Sequence, residues 1–178
     1  MTTAPVSGRA GAPLADESAS TGTALSVTLV GCRLIAGGLF IAAAVIKLTD
    51  LQSFAFSVKG FQIFPDSAEH LTMLATFAFP WLELICGAML VLGLWTRAAA
   101  LVTVLLLLSF VGAIISVIAR GMSLECGCFG KLDFVCDGPL GWCSVARNLV
   151  HASIAAVPLI LGAGRFGIDA LVGPATRS

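Results

Sequence analysis

Apolar residues fill this chain in four long blocks, covering about 24–48, 70–94, 98–119 and 145–163. None shows the strict alternation of a half-buried strand. Each approaches or exceeds the roughly 20 apolar residues, rising ~1.5 Å apiece, with which a helix crosses a ~30 Å hydrocarbon layer. The pattern predicts an all-α fold: a polytopic membrane protein whose domain at 24–164 is a four-helix transmembrane bundle. Between the second and third blocks stand only Trp95-Thr96-Arg97, which allows an antiparallel hairpin and little else. Gly31, Gly37 and Gly38 offer the first span small surfaces for close helix approach. Pro80 and Pro158 fall inside spans, where neighbouring helices can satisfy the freed carbonyls.

The segments between the blocks differ in kind. Residues 1–23 are rich in Ala, Pro, Ser, Thr and Gly and lack the ordered basic, apolar and cleavage regions of a signal peptide. They are expected to form a disordered tail, and 165–178 a short polar one. The first span ends Lys47-Leu48-Thr49-Asp50, placing Lys47 to snorkel to the interface. Residues 51–69 mix Phe54, Phe56, Phe61 and Phe64 with Gln52, Lys59 and Gln62. That mixture suits an amphipathic stretch lying on the membrane or a cap over the bundle.

Composition supports the membrane setting and narrows the partners. The 178 residues are 58% hydrophobic and 11% charged, with a mean hydropathy of +1.00, against a usual ~25% charged. The net charge is zero, so nothing points to nucleic acid. Four spans place both termini on one side of the membrane and residues 51–69 and 122–144 on the other. Lysines and arginines divide almost evenly between the sides, leaving the positive-inside rule nearly silent.

The chemistry gathers in the second of those loops. Cys126, Cys128, Cys136 and Cys143 are four of the chain's six cysteines. A Cys-x-Cys pair closes a small strained ring, and strained exposed disulfides tend to be labile and oxidising. Gly127 supplies the backbone freedom such a ring needs. Cys136 and Cys143 would form a second pair able to exchange with the first. Lys131, Arg120 and Arg147 could lower a thiol pKa if the fold brings them near. Two static disulfides pinning the loop are the plainer alternative. A four-cysteine metal site is the third, although the spacing lacks the two-to-four-residue knuckles of zinc ligands; no metal is expected. Disulfides persist in oxidising compartments, so the loop should face outward and both termini the cytoplasm.

Two charges lie inside spans, where they must be paired or inward-facing. Counting from the terminal-side ends, Arg33 and Glu83 fall at similar depth, so an Arg33–Glu83 ion pair is expected. It either locks two helices or leaves Glu83 as a proton acceptor beside a quinone drawing electrons from the loop thiols. Cys32 and Cys86 also match in depth, though buried cysteines are usually inert small hydrophobes. His70 and His151 lack ligand-like spacing and are expected at an interface or in packing.

Several short runs together resemble a known family. Phe40 with Lys47-Leu48-Thr49-Asp50, Pro80-Trp81-Leu82-Glu83-Leu84 and Leu94-Trp95-Thr96-Arg97 come first. Arg120-Gly121, Cys126-Gly127-Cys128-Phe129-Gly130 and Arg147-Asn148 follow in the same order. The chain thus resembles the MauE methylamine-utilisation proteins, relatives of the DoxX group of small four-helix membrane proteins, over about residues 28–160. The resemblance implies an accessory role in maturing a disulfide-rich periplasmic enzyme beside a thioredoxin-like partner. In the namesake system that client is the methylamine dehydrogenase small subunit. It also implies redox work at Cys126 and Cys128, with Glu83, Arg147 and Asn148 as polar positions.

The reading is therefore an integral membrane protein of the bacterial cell membrane. It would carry out thiol–disulfide exchange for a disulfide-containing client, as a membrane thiol–disulfide oxidoreductase; the alternative is a non-catalytic scaffold with static disulfides. Membrane lipid and a thioredoxin-like protein are the expected partners, and quinone the one conceivable cofactor.

Overall fold

A backbone immersed in hydrocarbon must satisfy its own N–H and C=O groups, and continuous apolar sequence does so as helix. The computed structural model, which describes residues 14–63, 65–122, 140–162, 164 and 167–170, has five helices and no strand among them. They are α1 (Leu14–Thr49), α2 (Leu51–Gly60), α3 (Glu69–Leu92), α4 (Thr96–Ala119) and α5 (Trp142–Leu161). Short 3₁₀ turns occupy Asp66–Ala68 and Ile168–Ala170. Four helices are long and apolar enough to cross a membrane: Leu25–Thr49, Glu69–Leu92, Thr96–Ala119 and Trp142–Leu161. The expected all-α four-span bundle is what the chain forms.

Its outer surface confirms the setting. Val45, Leu74, Phe77, Ile85, Leu105 and Val150 are exposed, and Ile160 is 70% exposed. In water such a continuous apolar surface would drive association; in lipid it is the ordinary outer face of a bundle. Trp95 and Trp142 sit exposed at opposite ends of the helices, where indole rings mark the two membrane interfaces.

α1 packs chiefly on α3, and α4 on α5, with α1·α5 and α3·α4 contacts closing the bundle. The α1–α3 crossing depends on glycine. A Cβ on Gly37 would lie 2.7 Å from the carbonyl oxygen of Gly87, and one on Gly87 would lie 2.9 Å from that of Gly37. Gly31 and Gly38 face open space, so of the three expected contact glycines only Gly37 is used. Ala36, Leu90, Ala99, Ala100 and Ala155 form one core layer, and Phe40, Cys86, Leu106, Leu107 and Ala152 the next. The first layer is built mostly of alanines and the second around Phe40, Leu106 and Leu107.

Helix limits differ from expectation in two places. α1 starts at Leu14, inside the stretch read as a disordered tail, so the helix extends beyond the first apolar block. α5 starts at Trp142, three residues before the expected 145, and therefore takes in Cys143.

Candidate functional site

The helix register decides which polar groups meet. Gly37 lies against Gly87 in an antiparallel pair. Arg33, four residues before Gly37, and Glu83, four before Gly87, are therefore displaced in opposite directions, by ~12 Å in all. The expected Arg33–Glu83 ion pair does not form, because depth was counted from unequal helix ends. Glu83 instead accepts from the Lys47 ammonium, Nζ to Oε1 at 2.5 Å, with both side chains almost wholly buried. Lys47 and Glu83 lie on the same side of the glycine crossing, and their extended side chains span the remaining offset.

Lys47 thus turns inward instead of snorkelling. Its ammonium sits 4.7 Å from the ring centre of Phe110 on α4 and 5.3 Å from that of Phe54 on α2. The carboxylate and two ring faces replace the water it gives up. One pair consequently ties α1, α2, α3 and α4 together. Glu83 Oε2 is buried without a hydrogen-bond partner among the described residues.

Arg33 serves the opposite end. Its Nε donates to the Leu90 carbonyl at 3.0 Å and its Nη2 to the Val91 carbonyl at 3.2 Å. These are last-turn carbonyls of α3, which carry the negative end of the helix dipole. Gly93 closes the helix in the left-handed conformation, with its N–H bonded to Leu90 O and the Leu94 N–H to Met89 O. A Cβ at Gly93 would overlap the guanidinium. Asp169, in the second 3₁₀ turn, accepts from the N–H groups of Trp95 (2.7 Å) and Thr96 (2.9 Å) at the start of α4. Its own N–H donates to Gly93 O. Burial alone would raise the Asp169 carboxyl, but the Thr96 and Trp95 N–H groups and the Arg33 charge bring it below its ordinary value.

At the loop-side end, α2 is capped by Asp50, which accepts from Ser53 N at 3.0 Å. It is fastened at its other end by Arg120 from the end of α4. The guanidinium donates to Phe61 O (2.5 Å), Gln62 O (3.4 Å) and Ser116 O (3.1 Å). Between α2, α3 and α4 lies a cavity of about 500 Å³, lined by Phe54, Phe61, Phe79, Phe110, Ala113 and Arg120 among others.

The cysteines divide. Cys126, Cys128 and Cys136 lie outside the described residues. Cys143 is exposed in the first turn of α5 and is disulfide-bonded. Cys32 and Cys86 are free thiols; Cys86 packs with Phe40 and Leu106. By the register Cys32 is displaced from it by about six residues, ~9 Å along the pair. His70 is exposed, while His151 Nε2 lies 3.1 Å from Ala36 O with its ring edge-on to Phe40. Asn148 donates to Ser144 O at 2.8 Å within α5, and Arg147 is half-buried one residue earlier. No group of three or more His, Cys, Asp or Glu side chains poised for a metal occurs among the described residues.

Lys47, Asp169 and the α2–Arg120 fastening were missed by sequence reasoning. Lys47 carried a signal, as a cation within helical reach of an intramembrane acid. Asp169 carried none, because it is remote in sequence from the turn it caps.

Residues 24–161 match the family described as methylamine utilisation protein MauE. The chain belongs to the MauE family. One MauE relative, the methylamine utilization protein MauE of Paracoccus denitrificans, is 31% identical over 152 residues, covering 80% of this chain and 78% of the relative. No solved structure matches. The MauE match spans all four candidate membrane helices, so this MauE-family chain is an integral membrane protein.

Proposed function

We propose that this protein supports thiol–disulfide exchange during maturation of an extracytoplasmic enzyme, beside a thioredoxin-like partner. Cys143 is the observation that carries the reading. It is exposed, disulfide-bonded and in the first turn of α5, in a stretch that also holds Cys126, Cys128 and Cys136. A helix N-terminus stabilises a thiolate, and a more stable thiolate leaves faster when its disulfide is attacked.

A client thiolate attacks one sulfur of a loop disulfide and releases the other as thiolate. The client's second thiol then resolves the mixed disulfide. The client leaves with a disulfide and the loop keeps two thiols. Renewing the loop disulfide removes two electrons and two protons, and a membrane quinone is the acceptor class that suits an intramembrane bundle. The loop faces outward in this reading, with both termini cytoplasmic. A role in methylamine utilisation comes with the relative's name. We assign the Lys47–Glu83 pair to fastening helices, since it joins α1 to α3 while the Lys47 ammonium also meets rings of α2 and α4.

The test is a Cys128→Ser variant, which should accumulate a reducible covalent adduct with its partner. Absence of any adduct under both oxidising and reducing growth would sink the proposal. The same Cys143 disulfide favours a second reading, a static staple in a scaffold. That reading requires Cys143→Ser to lower thermal stability while no loop thiol ever becomes alkylatable in wild-type membranes.

A further inference from the structure

The cavity between α2 and α4 has a length, a chemistry and one charged end. Its lining on α4 runs from Leu106 to Arg120, fourteen residues or ~21 Å along the helix. Half of a ~30 Å hydrocarbon layer plus the adjoining headgroup region has about that depth. The cavity therefore follows one leaflet from the interface to near the bilayer centre. Its deeper wall is apolar and aromatic, with Phe54, Phe79 and Phe110 around it. On α4 it is bounded by Ser109, Gly112, Ala113 and Ser116, whose short side chains leave the width of a chain beside the helix.

Arg120 lines the outer end. A guanidinium has five N–H donors, and three of Arg120's are committed to backbone carbonyls. Two remain, with a full positive charge. The ion pairs among the described residues are Lys47–Glu83 and Lys59–Glu69, so no described carboxylate neutralises it. Paired guanidinium donors match phosphate oxygens, and the leaflet-length apolar trough below matches an acyl chain.

We infer that this cavity is a binding site for one anionic phospholipid, its acyl chain along α4 and its phosphate on Arg120. The charge selects it over a neutral occupant: a zwitterionic lipid offers Arg120 a phosphate already paired with its own cation, and a quinone offers only carbonyl oxygens. The bound chain fills the space beneath α2, and the phosphate holds the guanidinium that fastens α2 to α4. The lipid would thus fix the point from which the cysteine loop departs, two residues beyond Arg120. The inference stands whether or not the loop exchanges disulfides.

Native mass spectrometry of the full chain, extracted in mild detergent and offered phosphatidylglycerol, phosphatidylcholine or a ubiquinone, tests it. One phosphatidylglycerol should be retained per chain, preferred over phosphatidylcholine by about fivefold, as one interfacial cation confers. Ala113→Phe, which projects a ring into the trough, should abolish retention, and Ser116→Leu, nearer the mouth, should reduce it. Arg120→Gln should keep a lipid but lose the preference for phosphatidylglycerol. Ile115→Phe, exposed on the outer face of α4, should change nothing. Equal retention of the two lipids by the wild type, undiminished retention in both filled variants, or ubiquinone retained in place of lipid would each overturn the assignment.

Discussion

Both ends of this bundle use charge on backbone groups, but among the described residues only the loop-side end also buries an ion pair. At the α3–α4 turn, Arg33 takes the last carbonyls of α3, Asp169 takes the first N–H groups of α4, and Asp169's own N–H takes Gly93 O. Three distant stretches of sequence meet there, and charge lies on helix ends of opposite sign. At the loop-side end, the buried Lys47–Glu83 pair leaves Glu83 Oε2 without a partner among the described residues. Beside it lie an open cavity and a short helix held by its caps and two phenylalanines. Backbone-satisfying charge makes a rigid joint. At the other end a buried ion pair borders a cavity instead, and the cysteine loop connects α4 to α5 there.

The largest effect should come from separating the buried pair. Glu83→Ala strands the Lys47 ammonium among Phe54 and Phe110, and uncompensated buried charge costs about 3–5 kcal/mol. Thermal denaturation of the purified protein should show this as the most damaging single change at the loop-side end. The double variant Lys47→Met with Glu83→Leu should recover most of the loss, because an apolar replacement removes the desolvation cost of both ions. If the double variant is no better than the single one, the pair does more than fasten helices.

Next in size is the crossing that sets the register for both ends. Gly87→Ala puts a Cβ 2.9 Å from Gly37 O and the same distance from Ile41 Cγ1. The backbones must move apart, and overpacking of this kind costs about 1–3 kcal/mol. Gly38→Ala meets nothing within 4 Å and should leave the melting temperature unchanged. A matched loss at Gly38 would mean that α1 meets α3 on a different face.

How much of this was legible differs between the same two ends. The spans, the tight turn after Leu94 and the presence of an intramembrane carboxylate followed from hydropathy and spacing alone. Partner identity did not. Depth counted from apolar block ends paired Glu83 with Arg33, whereas the Gly37–Gly87 contact shifts the helices enough to choose Lys47. A single close approach between two glycines decides that register, and hydropathy blocks do not reveal which glycines touch. Asp169 was unreadable for a related reason: a helix cap supplied from 73 residues away leaves no local capping pattern. At the loop-side end, Cys126, Cys128 and Cys136 lie outside the described residues, and Cys143 joins α5 because the helix begins earlier than its apolar block.

The smallest effect, and the one most diagnostic of the rigid end, is at Asp169. Asp169→Ala removes the acceptor for two N–H groups at the start of α4, a cap loss of about 1 kcal/mol. Its pH signature separates it from a packing defect. The folded carboxyl lies below the ordinary aspartate value of 3.8. Near that pH the unfolded chain therefore binds more protons than the folded one, and stability rises with pH. The contribution is complete above ~4 and is lost as pH falls through the lower, folded value. In detergent melts taken from neutral pH down into the acid range below 3.8, the stability gap between the wild type and Asp169→Ala should narrow on acidification. A constant gap between the two proteins across that range would show that the carboxylate charge has no part in holding the turn, and would leave Arg33 alone to account for its rigidity.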